Sequence, residues 1–144
     1  MGLTASPIYL GTNALIDAIE GQTPHLLTLL RRLKSRGTAL LSSELSLAEV
    51  LAKPFRENDE ALIAIYDDMI RSDGLVSAIP VDRSVLRRSA ELRRLGGKLP
   101  DAIHVATALI TGCKVILSSD KRLPLPDGLK RLPTEEAAAL ENIA

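Results

Sequence analysis

Short apolar runs alternate with helix-patterned segments along almost the whole chain, and this alternation limits the fold more than any other feature. The runs are 7–10 (PIYL), 38–42 (TALLS), 75–80 (LVSAIP), 114–118 (KVILS) and 129–132 (LKRL). None shows long, strict in–out alternation, which suits strands buried on both faces. Between them lie helical patterns. Leu26, Leu27, Leu29, Leu30 and Leu33 share a face that stops at Arg36-Gly37. Leu45, Leu47, Ala48, Val50 and Leu51 form a second helix, expected to close at Pro54. Residues 58–72 place Ala61, Leu62, Ile65 and Met69 on one side. Residues 82–95 open at the N-cap Asp82 and end at Gly96-Gly97; residues 100–111 open with Pro100 and stop at Gly112. Residues 133–142 read as a final alanine-rich helix. Strands alternating with helices predict a mostly parallel sheet of about five strands, covered on both faces. With 144 residues and no internal repeat or linker, one α/β domain over 1–144 is expected.

Composition narrows the function classes. Hydrophobic residues make up 46%, enough for a packed core, and the net charge of +0 gives no bulk argument for nucleic acid. The single cysteine, Cys113, excludes an internal disulfide and a cysteine zinc cluster; between apolar elements it reads as a buried, inert thiol. Two histidines, His25 and His104, leave little for a histidine-rich metal site. The apolar stretch 102–118 is interrupted by His104, Thr107, Thr111 and Lys114, so no membrane span is expected. No basic-then-apolar signal segment opens the chain, and the expectation is a cytoplasmic protein.

Several familiar sites are absent. There is no G-x-x-x-x-G-K-[ST] loop, no G-x-G-x-x-G after the first strand and no G-x-S-x-G elbow. What remains is a set of isolated acids that punctuate apolar elements. Glu49 lies in SLAEVL, Asp101 at the first turn of LPDAIHVATALI, and Asp120 just past the strand in VILSSDKRL. Each has a plain structural reading: a solvent-facing or paired helix residue, a favourable charge at a helix N-terminus, a turn residue. His104, one turn after Asp101, reads as a packed or capping histidine. Together the acids are more informative. In a parallel sheet, the ends of the first and fourth runs share the C-terminal edge, where open α/β sheets place ligands. Carboxylates converging there form an oxygen-only site for Mg²⁺ or Mn²⁺, ions that polarise a phosphoryl oxygen and acidify a bound water. The first run ends in PIYLGTNALI, so the residue at its tip is Gly11, which can neither ligate nor titrate.

The order YL-x-TNALI, SLAEVL, LPDAIHVATAL, VILSSDKRL resembles the PIN-domain ribonucleases, and within them the VapC-type toxins of bacterial toxin–antitoxin pairs. The resemblance runs from about Pro7 to Leu132 and implies an α/β/α sandwich and a Mg²⁺- or Mn²⁺-dependent endoribonuclease. It matches Glu49, Asp101 and Asp120 to three acidic metal-binding positions, Thr12 and Asn13 to the polar pair after the first acid, and Ser118 and Ser119 to the residues before the last. The family has aspartate where this chain has Gly11. An inactivating substitution, deliberate or an escape from toxicity, is the favoured reading; a natural degenerate member and a structural need for glycine are the alternatives. Little or no RNase activity is then expected of this chain.

RNA must also be held. Arg83, Arg87, Arg88, Arg93, Arg94 and Lys98 crowd the segment before Asp101, and Arg122 follows Asp120. Such a patch can contact phosphates, or can simply be a solvated helix face. The resemblance implies a homodimer blocked by a cognate antitoxin. The competing classes are a non-catalytic PIN-like module that binds RNA or antitoxin, and a PIN nuclease of RNA processing outside a toxin pair.

Overall fold

The computed structural model describes residues 6–143. Strand β1 (Ile8–Leu10) leads into helix α1 (Thr12–Ile19), followed by α2 (Leu26–Ser35), β2 (Leu40–Ser43), α3 (Glu44–Arg56) and α4 (Glu60–Met69). Then come β3 (Ile70–Arg71), β4 (Val76–Ile79), α5 (Arg83–Leu92) with a 3₁₀ turn over Arg93–Leu95, and α6 (Leu99–Ile110). Strands β5 (Val115–Leu117) and β6 (Lys130–Leu132), a 3₁₀ segment over Thr134–Ala139 and α7 (Leu140–Ile143) complete the chain.

The strands form one sheet in the order β3-β4-β2-β1-β5-β6, and every pairing in it is parallel. Neighbouring residues of β1 point to opposite layers. Leu10 joins Leu15, Leu30, Leu40, Val50, Tyr66 and Leu117 on the face covered by α1 to α4. Tyr9 joins Val105, Ala108 and Ile116 on the other face, where α5 and α6 add Val85, Ile103 and Ala106. This is a three-layer α/β/α sandwich. With both faces covered, β1 (IYL) and β5 (VIL) carry no alternation of apolar and polar residues, while β2 buries the hydroxyls of Ser42 and Ser43.

Four boundaries depart from the sequence expectation. The sheet has six strands: residues 70–71, expected at the end of the helix 58–72, form edge strand β3. Ile70 is buried and pairs with Val76, so tertiary pairing overrides the helical pattern there. Because β3 has only two residues, the chain can turn back within four residues to start a parallel neighbour. The turn brings Gly74 so close that a β carbon would lie 2.6 Å from the Met69 carbonyl oxygen. The helix expected to close at Pro54 runs through it to Arg56, since a proline in the last turn forfeits only one backbone hydrogen bond. The helix expected over 82–95 tightens into a 3₁₀ turn at Arg93. The final helix is mostly 3₁₀, a form that suits the three-residue spacing of buried Ala137 and Leu140.

Among the described residues, no helix is long and apolar enough to cross a membrane. Cys113 is buried, and burial raises the pKa of its thiol.

Candidate active site

Sequence order and sheet order part company at β1. The chain goes from β1 toward β2 and β4 on one side, and fills the other side later with β5 and β6. The crevice between the ends of β1 and β5 is therefore a topological switch point, where open parallel sheets bind ligands. A cleft of about 190 Å³ opens there. Gly11, Thr12, Asn13, Glu49, Asp101, His104, Ser118 and Asp120 line it, with Ile116 and Leu123 as its apolar part.

Each residue arrives for a local reason. Gly11 follows β1 directly, and its amide donates to the Leu117 carbonyl at 3.0 Å, extending the β1–β5 ladder by one bond. It occupies the N-cap position of α1 without a side chain to cap it. Ser43 caps α3, its hydroxyl accepting from the Leu45 amide at 3.0 Å, and so sets Glu49 on the second turn. Asp101 stands in the first turn of α6 beside Pro100, where the helix dipole favours a negative charge. Past β5, Ser118 Oγ accepts from the Asp120 amide at 3.1 Å and Asp120 Oδ1 from the Arg122 amide at 2.9 Å. Arg131 donates to the Ser118 carbonyl at 2.8 Å and ties that loop to β6.

Glu49 is the most engaged acid. Its Oε1 accepts from the Thr12 hydroxyl at 2.6 Å and from His104 Nε2 at 2.7 Å. Burial works against its charge most strongly, but the hydrogen bonds from His104 and Thr12, with the electrostatic attraction of His104, together outweigh burial and hold the carboxyl below its ordinary range. His104 is buried against Tyr9, as expected of a packed histidine, yet its Nε2 edge reaches the cleft.

The backbone at Gly11 is extended, with φ −70° and ψ 164°, a conformation open to any residue. A β carbon there would lie 3.3 Å from the Leu117 carbonyl oxygen and 3.5 Å from Ser118 Cβ, close but met by a shift of a few tenths of an ångström. The conformation therefore does not demand glycine.

Whether the acids present suit a metal ion can be tested on their arrangement. Among the described residues, no group of three His, Cys, Asp or Glu side chains converges well enough to hold one. Glu49 Oε1 is committed to Thr12 and His104, Asp120 Oδ1 to its own loop, and the strand tip between them supplies no carboxylate. As they stand, the described residues do not present a formed metal centre.

The PIN domain family model matches residues 8–129, most of the chain. The chain belongs to the PIN domain family. Comparison with curated protein sequences yields no match. Among solved structures, this PIN domain is similar to a chain of VapBC2 from Rickettsia felis bound to a DNA fragment from its promoter. The TM-score is 0.65 at 19% identity, over 88% of this chain and 98% of that one. A chain of the DNA-bound VapBC of Salmonella typhimurium gives 0.64 at 16% identity, over 90% and 98%. A chain of a toxin–antitoxin complex from Klebsiella pneumoniae gives 0.55 at 18%, over 87% and 99%. At such identities the likeness is one of fold.

The PIN fold brings most of the sequence-selected site residues together, but not all. Ser119 is exposed, does not line the cleft, and its hydroxyl bonds Thr134 at 2.7 Å. Arg87, Arg88, Arg93, Arg94 and Lys98 are exposed, and none lines the cleft. Arg88 and Arg94 instead flank a separate depression with Leu92, Leu95, Leu109 and Pro126. Arg122 approaches Asp120 at 3.8 Å with its side chain almost fully in solvent. Tyr9 was not singled out for the site. A hydroxyl in an otherwise aliphatic strand, together with a histidine in an apolar helix, is the signal that could have paired them.

Proposed function

We propose that this PIN domain is a VapC-type endoribonuclease toxin disabled at one position. In this reading the form with aspartate at position 11 hydrolyses RNA phosphodiester bonds with Mg²⁺ or Mn²⁺, and the Gly11 chain has little or no activity. One observation carries it: Gly11 sits at the tip of β1, in a cleft shared with Glu49, Asp101 and Asp120, on a backbone that does not require glycine. A carboxylate restored there would complete an oxygen-rich ligand set for a hard cation. Losing it should cost several kcal/mol of barrier, roughly a thousandfold or more in rate.

That no three metal-ligating side chains converge among the described residues favours a specific behaviour for the chain as it stands, namely binding without cleavage. Its partners are RNA, through phosphate contacts of the exposed arginines, and an antitoxin protein, with a second copy of the chain as a homodimer. The likeness to chains of VapBC complexes supports the antitoxin.

The test is an RNA cleavage assay supplemented with Mn²⁺, run on this chain beside its Gly11→Asp form, with Mn²⁺ binding followed by electron paramagnetic resonance. Cleavage and tighter Mn²⁺ binding by the Gly11→Asp form alone are expected. Comparable cleavage by both would reject the disabling role of Gly11. Tight Mn²⁺ binding without cleavage by either would reject the ribonuclease reading.

A further inference from the structure

A chain of hydrogen bonds runs from the core into the cleft. Tyr9 is fully buried, and its hydroxyl lies 2.6 Å from His104 Nδ1. The two rings meet edge to face, with centroids 5.8 Å apart. On the other side of the imidazole, Nε2 lies 2.7 Å from Glu49 Oε1 and 3.3 Å from the Thr12 hydroxyl.

For a neutral imidazole, counting protons decides the direction of each bond. An ionised carboxylate only accepts, so Nε2 must carry a hydrogen. Thr12 gives its one proton to Glu49, so toward His104 its oxygen can only accept. A neutral imidazole protonated at Nε2 has a bare Nδ1, and the Tyr9 O–H supplies the donor it needs. Burial holds that phenol in its protonated form. Glu49 Oε1 thus receives two donors and Oε2 stays uncommitted within the network.

We infer that His104 and Tyr9 are positioning residues for Glu49, with the buried phenol fixing the tautomer and orientation of the imidazole that in turn holds the carboxylate at the cleft. A glutamate has many rotamers, and its side chain here is one-third exposed. Anchoring one oxygen to a ring that is itself anchored in the core sets the carboxylate in place before any substrate arrives. This deepens the ribonuclease reading and rests on it for the identity of the reaction, but the network exists in the chain as it stands.

Two measurements test it. The first uses this chain without substrate: imidazole ¹⁵N–¹H correlation in mildly alkaline buffer. The expected spectrum shows His104 protonated at Nε2 and bare at Nδ1. The opposite tautomer would overturn the inference, whatever the chain does to RNA. The second uses the Gly11→Asp form. Tyr9→Phe keeps the ring and its packing and removes only the hydroxyl. It should lower kcat about tenfold with KM changed less than about twofold. His104→Asn should do the same or worse. His104→Gln, whose amide nitrogen can reach the place of Nε2, should recover part of the loss. An unchanged kcat in Tyr9→Phe would overturn the inference. If the Gly11→Asp form cleaves no RNA, the ribonuclease reading fails and the tautomer alone decides the network.

Discussion

Gly11 and Leu117 meet backbone to backbone: the Gly11 amide donates to the Leu117 carbonyl at 3.0 Å, and that same oxygen would lie 3.3 Å from a β carbon at position 11. The contact is tight, but the extended backbone is ordinary for any residue. Gly11→Ala should therefore change stability by less than about 1 kcal/mol, because the lower entropy of the unfolded chain offsets mild crowding. Urea denaturation measures this. A loss above about 2 kcal/mol would mean that glycine at this position is structural.

Gly74 is the contrasting case. Its missing β carbon would sit 2.6 Å from the Met69 carbonyl oxygen, inside the turn that joins β3 to β4. That approach is far deeper than the 3.3 Å met at Gly11, and no side-chain rotation can relieve it. Gly74→Ala should destabilise the fold by about 1–3 kcal/mol. A neutral result in the same denaturation experiment would show that the turn relaxes freely.

Glu49 predicts an acid-limb effect. Its folded pKa lies below the ordinary value of 4.5, so folding is favoured by its ionised form. That contribution is fully present above the unfolded value and is lost as pH falls through the folded one. Glu49→Gln should flatten the fall in stability on acidification from about pH 5 downward. Parallel acid profiles for the two proteins would remove Glu49 from the account.

The two tyrosines predict the alkaline limb. Tyr9 and Tyr66 are both fully buried, and burial is the main reason their pKa values rise far above 10.0. The Tyr66 hydroxyl donates to Glu20 at 2.6 Å, which favours the protonated phenol further. A group with a raised folded pKa loses its stabilising contribution as pH rises past the unfolded value, here about 10. Ultraviolet titration should show phenolate appearing in step with unfolding. Phenolate formed in a folded chain near pH 10 would contradict the buried placement.

Much of this molecule was legible in its sequence because the signals were local. Continuous apolar runs announce strands buried on both faces, and caps such as Asp82 and stops such as Gly112 mark helix ends without any tertiary help. The acids at Glu49, Asp101 and Asp120 stood out because each interrupts an apolar element. Three things were not local. Strand β3 exists only because Val76 is there to pair with Ile70, so a helical pattern gave way to a ladder. The grouping of Gly11, Glu49, Asp101 and Asp120 around one cleft required the sheet order, which places β5 beside β1 although a hundred residues or so separate them. The hydrogen-bond chain from Tyr9 through His104 to Glu49 joins a strand and two helices far apart in the chain, and only three-dimensional distance could reveal it. Sequence alone determined which residue types were available, because covalent order and hydrophobic period act within a few residues. Tertiary structure decided which of them meet, because hydrogen bonds and carboxylate charge act through space.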